Sequence, residues 1–96
     1  MIKHIVMFRL EGEGKADACR RFKEAIEALP AVIPELESAE VGLDTGAIEG
    51  NWNIVLTAVC DDAEALATYS AHPAHVACVA IIKPMLAGRV CVDYEC

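Results

Sequence analysis

Three features of the chain predict an α+β fold: an alternating opening segment, an amphipathic helical stripe directly after it, and two short helices ahead of a final apolar strand. Over residues 2–10, Ile2, His4, Val6, Phe8 and Leu10 face one way, while Lys3, Ile5, Met7 and Arg9 face the other. Gly12 and Gly14 break this strand. From about Lys15 to Leu29, Ala18, Phe22, Ala25, Ile26 and Leu29 share one helical face, and Pro30 and Pro34 end the helix.

A second strand is expected over Leu36–Asp44, a glycine-containing loop over Thr45–Asn51, and a third strand over Trp52–Cys60. In that third strand Trp52, Ile54, Leu56 and Ala58 share one side, and Val55 and Val59 the other. Asp61 reads as a helix N-cap with Glu64 three residues on, a capping-box arrangement. That helix runs to about Ala71. Pro73 suits the first turn of another, roughly Ala74–Ile82, because the residue before it, His72, is pushed out of the α region. Lys83-Pro84 stops this helix and Gly88–Glu95 forms the last strand. The order β-α-β-β-α(α)-β is the ferredoxin-like pattern with a four-stranded antiparallel sheet, and residues 1–96 read as one domain.

Both faces of such a sheet are apolar here, yet its helices cover only one. A second sheet is the natural cover. The chain is therefore expected to pair with itself, a homodimer packed sheet against sheet into a dimeric α+β barrel.

Composition narrows the partners. A formal charge of −7 argues against nucleic acid, which needs a basic footprint, and against an anionic membrane surface. No apolar run approaches the roughly 20 residues that span a bilayer. The five cysteines (Cys19, Cys60, Cys78, Cys91, Cys96) are odd in number and form no CxxC pair, which suits reduced thiols in a cytoplasmic protein and no zinc motif. Cys96 alone is placed for exposure and oxidation. Glu35, Glu37 and Glu40 read as a solvated edge.

The chemistry concentrates in Tyr69-Ser70-Ala71-His72-Pro73-Ala74-His75, with His4 interrupting the apolar face of the first strand. A neutral imidazole takes up a proton near pH 7, and a tyrosine hydroxyl in a dry site donates to a developing oxyanion. Together these groups suit proton abstraction beside a carbonyl. They equally suit a buried polar network in which each group satisfies the next. A metal held by His72 and His75 with Glu64 or Asp62 is disfavoured, since the helix break positions such ligands poorly. No phosphate loop, dinucleotide fingerprint or nucleophile elbow occurs.

The chain resembles the stress-responsive A/B barrel (Dabb) domain family across nearly its whole length. The matching pieces are Ile2-Lys3-His4-Ile5-Val6-Met7-Phe8, Glu40-Val41-Gly42, Tyr69 followed by His72-Pro73-Ala74-His75-Val76, Ile82-Lys83-Pro84 and Val90-Cys91-Val92-Asp93-Tyr94. The resemblance implies a dimeric α+β barrel. Family members include plant stress-induced proteins and a polyketide cyclase that closes a ring without cofactor. In cyclase-type members the roles of base and carbonyl-holding tyrosine would fall on His75 and Tyr69, with His4 in the site wall. Asn53 stands where such cyclases carry a further histidine, and His72, Phe8 and Trp52 are the other expected ligand-lining residues.

Two functions follow. The first is a non-catalytic dimeric stress or small apolar ligand-binding module, preferred because no substrate signature is visible. The alternative is a cofactor-independent cyclase or isomerase acting on a small apolar carbonyl compound, with His75 as base, Tyr69 as oxyanion donor and His4 as orienting group. Neither needs a metal or cofactor. Both place the ligand in an apolar chamber between sheet and helices.

Overall fold

The computed structural model describes residues 1–96. Its elements are β1 (Ile2–Leu10), α1 (Lys15–Glu27), β2 (Leu36–Leu43), β3 (Ile54–Cys60), α2 (Ala63–Ala71), α3 (Pro73–Ile82) and β4 (Leu86–Glu95). All three strand pairings are antiparallel, in the order β2-β3-β1-β4. This is the ferredoxin-like α+β fold read from the sequence.

The alternation in β1 does what its pattern dictates. His4, Val6, Phe8 and Leu10 are buried against the helices, joined by Ile54, Leu56, Ala58 and Cys60 from β3. Phe22 and Ile26 of α1 and Ile82 of α3 close this core with no exposed surface. Phe8 and Phe22 meet edge to face at 5.4 Å, the arrangement aromatic quadrupoles favour.

The edge strand β2 is tied down by α1. Lys23 Nζ donates to the Val41 carbonyl (2.6 Å), and Val41 N–H donates to Glu27 Oε2 (3.0 Å). Those side chains occupy backbone groups that an edge strand otherwise offers to a foreign strand. Glu37 and Glu40 on the same strand are exposed, as expected of a solvated edge.

Several expected boundaries move, each for a local reason. Helix α1 ends at Glu27 and not near Leu29, because Pro30 restrains the preceding residue; Leu29–Ala31 tighten into a 3-10 turn that still buries Leu29. The N-cap of α2 is Asp62 and not Asp61: Asp62 is extended, and its Oδ1 accepts from Ala65 N–H at 2.8 Å. Glu64 then sits at the second helical position, so no capping box forms. Strand β4 begins at Leu86, two residues before Gly88.

The largest correction concerns Trp52. It precedes β3 and does not share the side of Ile54 and Leu56. Asn53 clips the chain to the end of β1 just there: its N–H donates to the Phe8 carbonyl (3.0 Å) and its Oδ1 accepts from Leu10 N–H (2.7 Å). The chain before that clip lies outside the β-ladder, and the indole falls on the outer face of the sheet. It packs on Gly88, where a Cβ would come within 2.9 Å of the ring. Only glycine lets the tryptophan lie that close.

Candidate functional site

The site begins at the α2–α3 corner. His72 is extended (φ −63°, ψ 134°), as a residue before proline should be, so it ends α2 and starts α3. Its Nδ1 accepts from Ala74 N–H at 3.0 Å and caps α3. His75, one turn into α3, does the converse: its Nδ1–H donates to the Ser70 carbonyl of α2 at 2.9 Å. Each imidazole satisfies a group that a helix end leaves without a partner. The same bonds set the tautomers, leaving a proton on His72 Nε2 and a lone pair on Nε2 of neutral His75. Burial pushes the His75 pKa below its ordinary value, with the Ser70 bond opposing and the facing charges of His4 and Arg89 reinforcing the shift. The ring is therefore neutral at pH 7.

Tyr69, from the last turn of α2, is fully buried. Its ring lies 4.6 Å from the His75 ring, tilted by 52°, and meets His4 edge-on at 6.4 Å. Its hydroxyl has no hydrogen-bond partner, the one buried side-chain polar atom in the protein so placed. Burial raises its pKa well above the ordinary phenol value, so it is a neutral donor. Leaving such a group unpaired costs roughly 1–3 kcal/mol.

His4 is held from the other side. It pairs in register with Asp93 of β4, and its Nδ1 bonds Asp93 Oδ1. Cys91, two residues earlier on the same face of β4, donates its thiol to the same carboxylate oxygen at 3.4 Å and lies 3.4 Å from His4 Nδ1. The His4 bond holds the Asp93 carboxyl below its ordinary range, while burial and the neighbouring carboxylate raise the Cys91 thiol. Neither Asp93 nor Cys91 stands out in the sequence as a site residue. The available signal was their i, i+2 spacing on a strand whose partner carries a buried histidine.

The structure thus brings His4, Tyr69 and His75 into one cluster and leaves the remaining candidates elsewhere. His72 is occupied in capping. Phe8 belongs to the core beside Phe22. Asn53 is spent on the β1 clip, and Trp52 lies on the opposite face of the sheet. The expected apolar chamber beneath the helices is also corrected: that space is filled by Val6, Phe22, Ile26, Leu56 and Ile82. A hollow of about 600 Å³ lies instead on the outer face, lined by Met7, Trp52, Val55 and Val90 among others. A smaller one, about 290 Å³, lies beside the first turns of α1 at Lys15, Cys19 and Arg20. No single helix is long and apolar enough to cross a membrane.

Comparison with known proteins agrees with this architecture. An uncharacterized protein of Streptomyces coelicolor is 34% identical over 97 residues, covering 99% of both chains. A dimeric protein of unknown function with a ferredoxin-like fold from Bacteroides fragilis is 40% identical and superposes with a TM-score of 0.93, over 99% of this chain and 95% of that one. A dimeric ferredoxin-like protein of unknown function from Thermobifida fusca is 38% identical, with a TM-score of 0.85 over 99% and 90%. The model of the stress responsive A/B barrel domain matches residues 2–96. The chain belongs to the stress-responsive A/B barrel domain family.

Proposed function

We propose that this chain is a cytoplasmic homodimer, packed sheet against sheet, in which each protomer holds a small carbonyl-bearing apolar compound at Tyr69 and His75. The observation that carries the ligand site is the unpartnered Tyr69 hydroxyl beside the free Nε2 of His75. A buried donor without an acceptor is a standing cost, and a carbonyl oxygen removes it. The space around that hydroxyl is filled, so side chains have to move aside for the compound, and the half-open side is that of β4, where the Asp93 side chain is 44% exposed while its partner His4 is 9% exposed.

The dimer reading rests on the outer face. Met7, Val55, Val90, Val92 and Tyr94 are all exposed there, with Val92 at 64%. A contiguous apolar surface of that kind marks an interaction site. The relatives described as dimeric support a second copy as its occupant, with the hollow at Trp52 as the proposed seat for that copy. Five free cysteines suit a reducing compartment.

Binding is the primary role. A second reading, proton abstraction beside the bound carbonyl with no cofactor, draws on the lone pair that the Ser70 bond leaves on His75 Nε2. Thermal-shift screening of small apolar carbonyl compounds tests the first reading. Binders should raise the melting temperature of the wild type and not of Tyr69→Phe, which should otherwise be as stable as the wild type or slightly more so. A Tyr69→Phe protein that binds equally well would remove the site. Turnover found with any binder should vanish in His75→Gln.

A further inference from the structure

We propose that His4, Cys91 and Asp93 form a binding site for a thiophilic divalent cation of the zinc class. The site is built by strand register. His4 stands directly across from Asp93, and Cys91 lies two residues along β4, on the same face. The three donor atoms, His4 Nδ1, Cys91 Sγ and Asp93 Oδ1, all lie within 4.8 Å of one another.

The two spacings to Cys91 and the chemistry suit one ion, while the Asp93 carboxylate, now hydrogen-bonded directly to His4 Nδ1, has to swing outward to admit it. Zinc bonds of about 2.3 Å to sulfur and 2.0–2.1 Å to nitrogen, at a tetrahedral angle, separate those two atoms by roughly 3.5 Å. The Cys91 Sγ to His4 Nδ1 distance is 3.4 Å. A thiolate and a carboxylate balance a charge of +2, and the neutral imidazole completes an N, O, S set. Sulfur in that set disfavours calcium and magnesium, which take oxygen ligands. Three protein ligands leave a fourth position open, the arrangement of zinc sites that admit water or a ligand.

The His4 N–H and the Cys91 S–H both point at one oxygen of Asp93. On binding, the Cys91 S–H bond breaks and its proton leaves to solvent while the Cys91–metal bond forms. His4 loses its Nδ1 proton and takes one up at Nε2 through solvent, a change of tautomer with no net proton lost, so that the freed Nδ1 lone pair coordinates; no electron is transferred. The location is neither closed nor bare: His4 is buried, Cys91 half-buried and Asp93 exposed, so an ion reaches buried ligands from the open edge of the sheet.

The site adjoins the proposed ligand site at Tyr69 and His75 but does not depend on it. Titration of the intact, reduced protein with Co²⁺, followed by optical absorption, tests it. The expected result is one cobalt per chain with a thiolate-to-cobalt charge-transfer band, displaced by Zn²⁺. Cys91→Ser should abolish the band and Asp93→Asn should weaken binding by at least about tenfold. Cys96→Ser and His75→Gln should leave both unchanged. Absence of the band in the wild type, its survival in Cys91→Ser, or its loss in Cys96→Ser overturns the proposal. Asp93→Asn alters an exposed side chain, so its effect is readable even where Cys91→Ser folds poorly, and unchanged affinity in it counts equally against the site.

Discussion

The two faces of the sheet are almost equally apolar and have opposite fates. On the helix side, Val6, Leu56 and Ile54 are sealed by α1, α2 and α3. On the outer side, Met7, Val90 and Val92 meet no part of their own chain that covers them. Hydrophobicity alone does not distinguish these surfaces; what differs is which face the crossover helices pack upon. A strand with apolar residues on both sides states only that two covers are needed. The chain itself supplies only the first of them.

Substitutions on either face can break that contrast. Val92→Asp should have the largest effect, since an unpaired charge closed into an interface costs about 3–5 kcal/mol, more than a hundredfold in affinity. Light scattering should then report a folded 10.3 kDa species. A dimer that survives this change would move the interface elsewhere. Leu56→Ala, on the covered face, should cost about 2–5 kcal/mol in urea denaturation without changing the oligomeric state at concentrations where the protein is folded. Loss of the dimer with folding unchanged would reverse the assignment of the two faces.

Smaller changes sharpen the helix side. Asp62→Ala should cost about 1 kcal/mol through the lost cap on α2, while Asp61→Ala should stay within about 0.5 kcal/mol. Equal costs would mean the cap is not where Asp62 places it. The smallest effect is a pH dependence. Burial depresses the His75 pKa below 6.5, so the folded state binds fewer protons on this ring than the unfolded chain does. Its contribution to stability is complete above pH 6.5 and is lost as the pH falls through the depressed folded value. Denaturation midpoints of His75→Gln should lack that acid-side decline; an identical pH profile in both proteins would show that the ring is not buried in solution.

Much of this was legible before any coordinates. The alternation of β1, the stripe of α1 and the break at His72-Pro73 each follow from local rules, and each element formed. The cluster of His4, Tyr69 and His75 was partly legible too, because two of its members lie within one turn of the same break. Trp52 was misplaced because its side depends on where the ladder starts, and the Asn53 clip to β1 sets that start. Cys91 and Asp93 were invisible as partners of His4 because they are 87 and 89 residues away along the chain.

The sequence by itself determined which segments are strands and helices, that the sheet is apolar on both sides, and that His72 turns a corner. Period and proline geometry act over a few residues, so they survive without tertiary context. Only the tertiary structure decided that the helix-side space is filled, that Tyr69 is left without an acceptor, and that a histidine near one terminus shares a carboxylate with a cysteine near the other. Those facts depend on strand register and on which face the helices choose, and both are set by packing between segments far apart in the chain.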